Sequence, residues 1–293
     1  MKLKYNILAL LSTALFTACT TDLALDLKGT TPELVVEGAI STDAVAHSVT
    51  LKKTSNYFSN AAADMVSGAV VTLSDGQGTI TLIEDAVKKG IYLTPANYAG
   101  VVGRTYTLTI DNVDVNADGV KERYTASCPI STMIQLDSID VVKSRIFQTD
   151  MWAVKAWVQD PPAEVNYYLI RNYKNDVCTS DSIQEWQITN DEFFNGKYMI
   201  NETFSYFSSE KPDEKLVVGD RVTLELCSVT KDYMEYIQQA QDEFWGRNPL
   251  FGGQPANIRT NIKQVLPANS KTSPHGYFAA YPVSWGKTVY QGK

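Results

Sequence analysis

The residue with the clearest chemistry in this 293-residue sequence is Cys19. Lys2 and Lys4 give a short positive start, and an apolar run from Ile7 to Phe16 follows, broken only by Ser12 and Thr13. The small residues Thr17 and Ala18 then lead into the cysteine. A charged start, an apolar stretch and small residues make a secretory leader, too short to cross about 30 Å of hydrocarbon as a helix. A cysteine placed directly after the small residue is the lipobox pattern of bacterial lipoproteins, although Phe16 stands where leucine is commoner. There the leader, here residues 1–18, is cut away, and both the thiol and the new amino terminus are acylated. The other reading is an ordinary cleaved leader with an incidental cysteine. More than one acyl chain meets the two-signal requirement for stable anchoring. No later segment approaches about 18 uninterrupted apolar residues, so the expectation is a protein fixed to a membrane without crossing it.

A second constellation is Asp114, Asn116 and Asp118, followed by Gly119. Oxygen ligands at alternate positions with a closing glycine match the first half of a calcium loop. The twelfth position is Thr125 rather than a bidentate glutamate, Glu122 falls at the ninth, and the flanks read as strands. The competing reading is a hairpin turn with solvated carboxylates. Calcium is thus the one cofactor candidate in a chain otherwise expected to carry none.

Catalytic signals are sparse, and the chain is expected not to be an enzyme. His47 and His275 are far apart and each falls in an expected loop. No nucleophile elbow, H-E-x-x-H helix or metal-spaced Cys/His cluster occurs. Carboxylates are plentiful but are expected on exposed strand faces rather than as a glycosidase pair. Cys128, Cys178 and Cys227 form no C-x-x-C motif; they are read either as buried small apolar residues or as including a Cys178–Cys227 bridge. A net charge of −7, without basic runs, argues against nucleic acid or an anionic lipid surface as partner.

Aromatic residues are the remaining chemical signal. Tyr57 and Phe58 lie in a polar loop, while Trp186, Trp245, Tyr277, Tyr281 and Trp285 crowd the second half. Rings on loops of a rigid scaffold stack on ligands or partners, so Tyr57, Phe58 and Trp245 are candidate contacts. Alternatively Trp245, Tyr277 and Tyr281 seal a helix onto a sheet.

The elements that must position these groups are mostly strands. Expected strands are 34–40, 48–53, 69–74, 79–84, 90–93, 105–113 and 122–128, with the period-two alternation of Tyr106, Leu108 and Ile110 as the clearest case. Asp75-Gly76-Gln77-Gly78 supplies a tight hairpin. A second set is expected over 138–143, 151–159, 166–173, 185–188, 198–204 and 221–228, with Asp160-Pro161-Pro162 forcing a turn. From Thr230, an N-cap, to Trp245 the spacing of Tyr233, Ile237, Ala240 and Phe244 is helical, and Gly246 ends the run. An irregular loop over 248–274 and a final strand over 276–284 close the chain. The fold class expected is therefore all-β: two antiparallel, immunoglobulin-like β-sandwiches, one helix lying in the second. The expected organisation is a leader 1–18, an acylated tether 19–32, a first sandwich 33–130, and a second sandwich 131–293 carrying helix 231–245.

Several stretches together resemble the domain-of-unknown-function 4249 family of outer-membrane lipoproteins from Bacteroidota. They are Leu34–Ile40, Val66–Thr72, Gly100–Ile110, Asp160–Pro162 with Asn166–Tyr168, Gly219–Leu226, the helix after Ser228, Pro255–Ile258 and Gly276–Tyr281, running in order. The resemblance implies an accessory role beside a TonB-dependent receptor in nutrient uptake, with no catalytic residues to carry over. A structural or adhesive surface lipoprotein is the alternative. Either way the chain is expected at the outer membrane, on its periplasmic or its cell-surface face.

Overall fold

A computed structural model describes residues 31–55, 62–146, 148–162, 164–246, 257–268 and 273–293. Cys19, Tyr57 and Phe58 lie outside the described residues.

Short alternating runs become short strands because each buries one face. The first eight are β1 (Leu34–Ser41), β2 (Ser48–Lys53), β3 (Val70–Ser74), β4 (Thr79–Thr81), β5 (Ile83–Glu84), β6 (Ile91–Leu93), β7 (Thr105–Val113) and β8 (Glu122–Pro129). Then come β9 (Gln135–Ile146), β10 (Thr149–Gln159), β11 (Tyr167–Lys174), β12 (Val177–Cys178), β13 (Gln187–Asn190), β14 (Tyr198–Ser208) and β15 (Arg221–Val229). Helix α1 (Lys231–Trp245) follows, and β16 (Lys263–Leu266), β17 (His275–Tyr281) and β18 (Val283–Val289) end the described chain.

Two sheets, ordered β17-β1-β2-β6-β5 and β16-β8-β7-β3-β4, enclose one core that includes Val36, Leu51, Leu108, Tyr124 and Phe278. Two more, β14-β10-β9 and β12-β11-β15-β18 with β13 on β11, enclose a second core around Val154, Tyr168, Phe207 and Leu224. The fold is all-β and sandwich-like with one helix among the described residues, as the alternation predicts. Among the described residues, strand pairing is antiparallel except between β1 and β17, which run parallel from Val35↔His275 to Ser41↔Tyr281.

That parallel pair changes the expected partition of the chain. The run predicted as one strand over 276–284 is two, interrupted at Pro282, which has no N–H to give a ladder. Strand β17 joins the first sandwich, and β18 pairs with β15 in the second. The expected loop 248–274 also contains β16, which pairs with β8. Residues 33–130 therefore do not complete the first sandwich alone, and Pro32–Lys293 form one compact unit. No helix among the described residues is long and apolar enough to cross a membrane.

A third core lies outside both sandwiches. Strands β15 and β17 bury residues on both faces. On β17, Phe278 and Ala280 enter the first core, while Tyr277, Ala279 and Tyr281 meet α1 through Tyr233 and Ile237. The amphipathic helix is thus the lid over the outer face where the two halves meet.

Candidate functional site

The helix, β17 and the outer face of β11 wall a cleft of about 580 Å³. Helix α1 starts where Thr230 Oγ1 accepts from the Tyr233 backbone N–H at 3.3 Å, and ends at Gly246 with φ 79°. This register turns Tyr233 and Tyr236 toward Tyr277 and Tyr281, which share a strand face because they are four residues apart. Tyr277 lies 5.0 Å, centroid to centroid, from both Tyr233 and Tyr236; Tyr233 stacks on Tyr281 at 6.2 Å with planes 12° apart.

The floor is charged. Arg171 on β11 faces Glu225 on β15 directly across the ladder, and its Nη2 donates to Glu225 Oε1. Glu225 is only 3% exposed and also accepts from the Tyr173 hydroxyl at 2.6 Å. The guanidinium lies 5.4 Å from the Trp186 ring centroid, a cation–π arrangement. Buried Arg171 Nε and Trp186 Nε1 have no hydrogen-bond partner. The Gln241 side chain ties the helix to the Trp186 segment, donating to the carbonyls of Ile183 at 2.8 Å and Trp186 at 2.7 Å.

His47 closes one rim. Its Nε2 lies 3.0 Å from the Tyr98 carbonyl and 3.2 Å from that of Asp43. Burial lowers its pKa below the ordinary value even though both carbonyls favour the charged ring. Burial likewise raises the tyrosines, Tyr236 to about 12. Those hydroxyls are therefore neutral donors and acceptors at physiological pH. Burial, followed by Glu225, pushes the Cys227 thiol well up, so it is no activated nucleophile despite lying 3.5 Å from Glu225 Oε1. The cleft offers ring faces and hydroxyls, which is equipment for binding.

The expected site residues fall in several places. Tyr277 and Tyr281 do seal the helix to the sheet, but Trp245 does not: it is 70% exposed at the helix end, with Phe244 edge-on at 5.1 Å. Asp114, Asn116 and Asp118 fold back on their own loop. Asp114 accepts from the backbone N–H of Asp118 and Gly119, each at 3.1 Å, and Asn116 donates to Asp118 Oδ2 at 2.9 Å. Glu122 turns into the core instead, accepting from the Tyr124 hydroxyl at 3.0 Å. Among the described residues no three His, Cys, Asp or Glu side chains gather to hold a metal. Cys128, Cys178 and Cys227 are free thiols, so the Cys178–Cys227 bridge considered from sequence is not formed. His275 starts β17 rather than a loop, with Nε2 2.8 Å from Glu33 Oε2.

Arg171, Glu225 and Tyr236 carry the cleft and were missed in the sequence. Glu225 shares with Thr223 the polar face of the alternation Val222, Leu224, Leu226, so the sequence reads it as solvent-facing and carries no signal for its burial. A second groove of about 550 Å³ lies along β13 and β14, lined by Phe193, Phe194, Tyr198 and Ile200.

Comparison with curated proteins finds no match. A family model described as a domain of unknown function, DUF4249, matches residues 20–285. With the two-core sandwich fold and nearly the whole chain matched, this protein belongs to the DUF4249 family.

Proposed function

We propose that this is a lipid-anchored, non-enzymatic binding protein of the outer membrane that assists a TonB-dependent receptor in nutrient uptake. The observation that carries the binding role is the cleft in which four tyrosines stand over the Arg171–Glu225 pair. The lipobox at Cys19 supports the anchor, and the order of the family stretches supports the receptor partnership. An acyl anchor beside a barrel replaces a three-dimensional search by a high local concentration. The cleft lies within the usual size range for small-ligand sites. Its rings suit the flat or apolar faces of a sugar or peptide, and its hydroxyls suit their polar edges.

Two measurements test this reading. Metabolic labelling with an alkyne fatty acid should tag the wild type and spare Cys19→Ala. Pull-down from solubilised outer membranes should recover a receptor. An unlabelled protein overturns the anchor in both readings; a labelled protein that always returns alone overturns the receptor partnership and leaves the structural or adhesive surface lipoprotein.

A further inference from the structure

An exposed aromatic platform stands on the sheet face beside the tyrosine cleft. Trp285 on β18 is 38% exposed, yet its indole N–H donates to both oxygens of Asp43, at 3.0 and 3.1 Å. The Tyr173 ring meets it at 5.5 Å between centroids, with planes 64° apart. Together with Asp176, Thr223 and Lys287 these rings line a pocket of about 300 Å³. A large exposed ring clamped by a carboxylate has already given up rotamer freedom, so stacking on it costs little further entropy.

This pocket and the cleft are built on one row of residues. Arg171, Glu225 and Trp285 are successive cross-strand partners on β11, β15 and β18. Glu225 serves both places: one oxygen accepts from Arg171 in the cleft, the other from the Tyr173 hydroxyl beside Trp285. The connection after β1 serves both too, since Asp43 holds Trp285 while its carbonyl lies 3.2 Å from His47 Nε2 at the cleft rim. Two strand spacings separate Arg171 from Trp285, about 10 Å, which is more than a single sugar ring covers. The charged side chains balance at each place. Arg171 is matched by Glu225 and Glu37 by Lys52 at the cleft, while Arg221 and Lys287 offset Asp176 and Asp43 at the pocket.

We propose that the cleft and the Trp285–Tyr173 pocket are two subsites for one uncharged, linear oligosaccharide. The inference rests on the binding role proposed above and names its ligand class. Sugar rings present C–H faces that stack on aromatic rings and hydroxyls that bond to the tyrosine hydroxyls and to the Asp43 and Asp176 carboxylates. Balanced charge gives a polyanion, such as a uronate chain, no surplus to be drawn to. An extended peptide is taken up through main-chain hydrogen bonds at an open strand edge. Here the row is centred on β15, which is paired on both sides, so the face offers side chains alone.

Titration calorimetry on the full chain tests the proposal. The probes are maltohexaose, cellohexaose, mannohexaose and xylohexaose, with hexagalacturonate and an uncharged hexapeptide amide as comparisons. At least one uncharged hexaose should bind, more tightly than its own monosaccharide and equally at low and high salt. Trp285→Ala should weaken that binding about tenfold, the worth of one good aromatic contact. Trp285→Phe, which keeps a ring but not the bond to Asp43, should weaken it less and keeps the test readable if the alanine variant folds poorly. Phe193→Ala, an exposed ring elsewhere, should leave binding unchanged. Four results overturn the inference: no hexaose binds, only the uronate or the peptide binds, the monosaccharide binds as tightly as the hexaose, or both Trp285 variants bind like wild type. A labelled protein that recovers a receptor but binds no sugar overturns the ligand class alone; one that binds a hexaose but always returns alone overturns the receptor partnership alone.

Discussion

Arg171 and Glu225 are cross-strand partners, side by side on β11 and β15 and bonded beneath the tyrosine cleft. A buried charge stripped of its partner costs more than the pair contributes, because the survivor stays desolvated. Glu225→Ala is therefore expected to lower unfolding free energy by about 3 kcal/mol. Glu225→Gln, which keeps an acceptor for Arg171 and Tyr173, should cost less. Urea unfolding of both variants and of the double change with Arg171→Met measures the coupling; independent, additive effects would contradict it.

Helix docking rests on Ile237, which is fully buried in the cluster that includes Leu169, Cys227 and Tyr277. Ile237→Ala should cost about 3 kcal/mol, since a cavity adds to the lost transfer energy. The cleft should loosen with it, seen as increased tyrosine accessibility to a collisional quencher.

Gly276 permits the parallel seam. It has φ 83°, and a Cβ there would lie 2.0 Å from the Val36 carbonyl oxygen. Gly276→Ala should destabilise by at least about 2 kcal/mol through strain and overlap together. A melting temperature within error of wild type would refute the seam.

Acid should weaken the fold partly through His47. Burial sets its folded pKa below the unfolded 6.5, so the unfolded chain takes the proton first. The contribution is intact above about 6.5 and is lost as pH falls through the folded pKa. His47→Gln should flatten this part of the stability–pH curve in urea melts between about pH 7.5 and about pH 5.

Trp245 separates binding from folding. Because it is 70% exposed, Trp245→Ala should change stability by no more than about 0.5 kcal/mol. On the proposed function it should reduce recovery of a receptor in pull-down from membranes, which a purely structural tryptophan would not do.

Strand alternation made both sandwich cores legible in the sequence. Tyr106, Leu108 and Ile110 enter the first core as their period requires, and Val222, Leu224 and Leu226 enter the second. Thr230 and Gly246 bounded the helix correctly. The sequence did not reveal the parallel pairing of β1 with β17, because period two fixes which face is buried but not which distant strand lies alongside. For the same reason Arg171 and Glu225 were unreadable as a pair: they are 54 residues apart and meet only through register.

The interruption at Pro282 has a consequence for how the chain is made. The segments on either side of it close different sandwiches, and Val35 must wait for His275 before its ladder is complete. During synthesis β1 can pair with β2, but its other edge stays open until β17 is made. The β1–β17 contact is thus among the most non-local in the fold, the kind of pairing that topology makes slow to form.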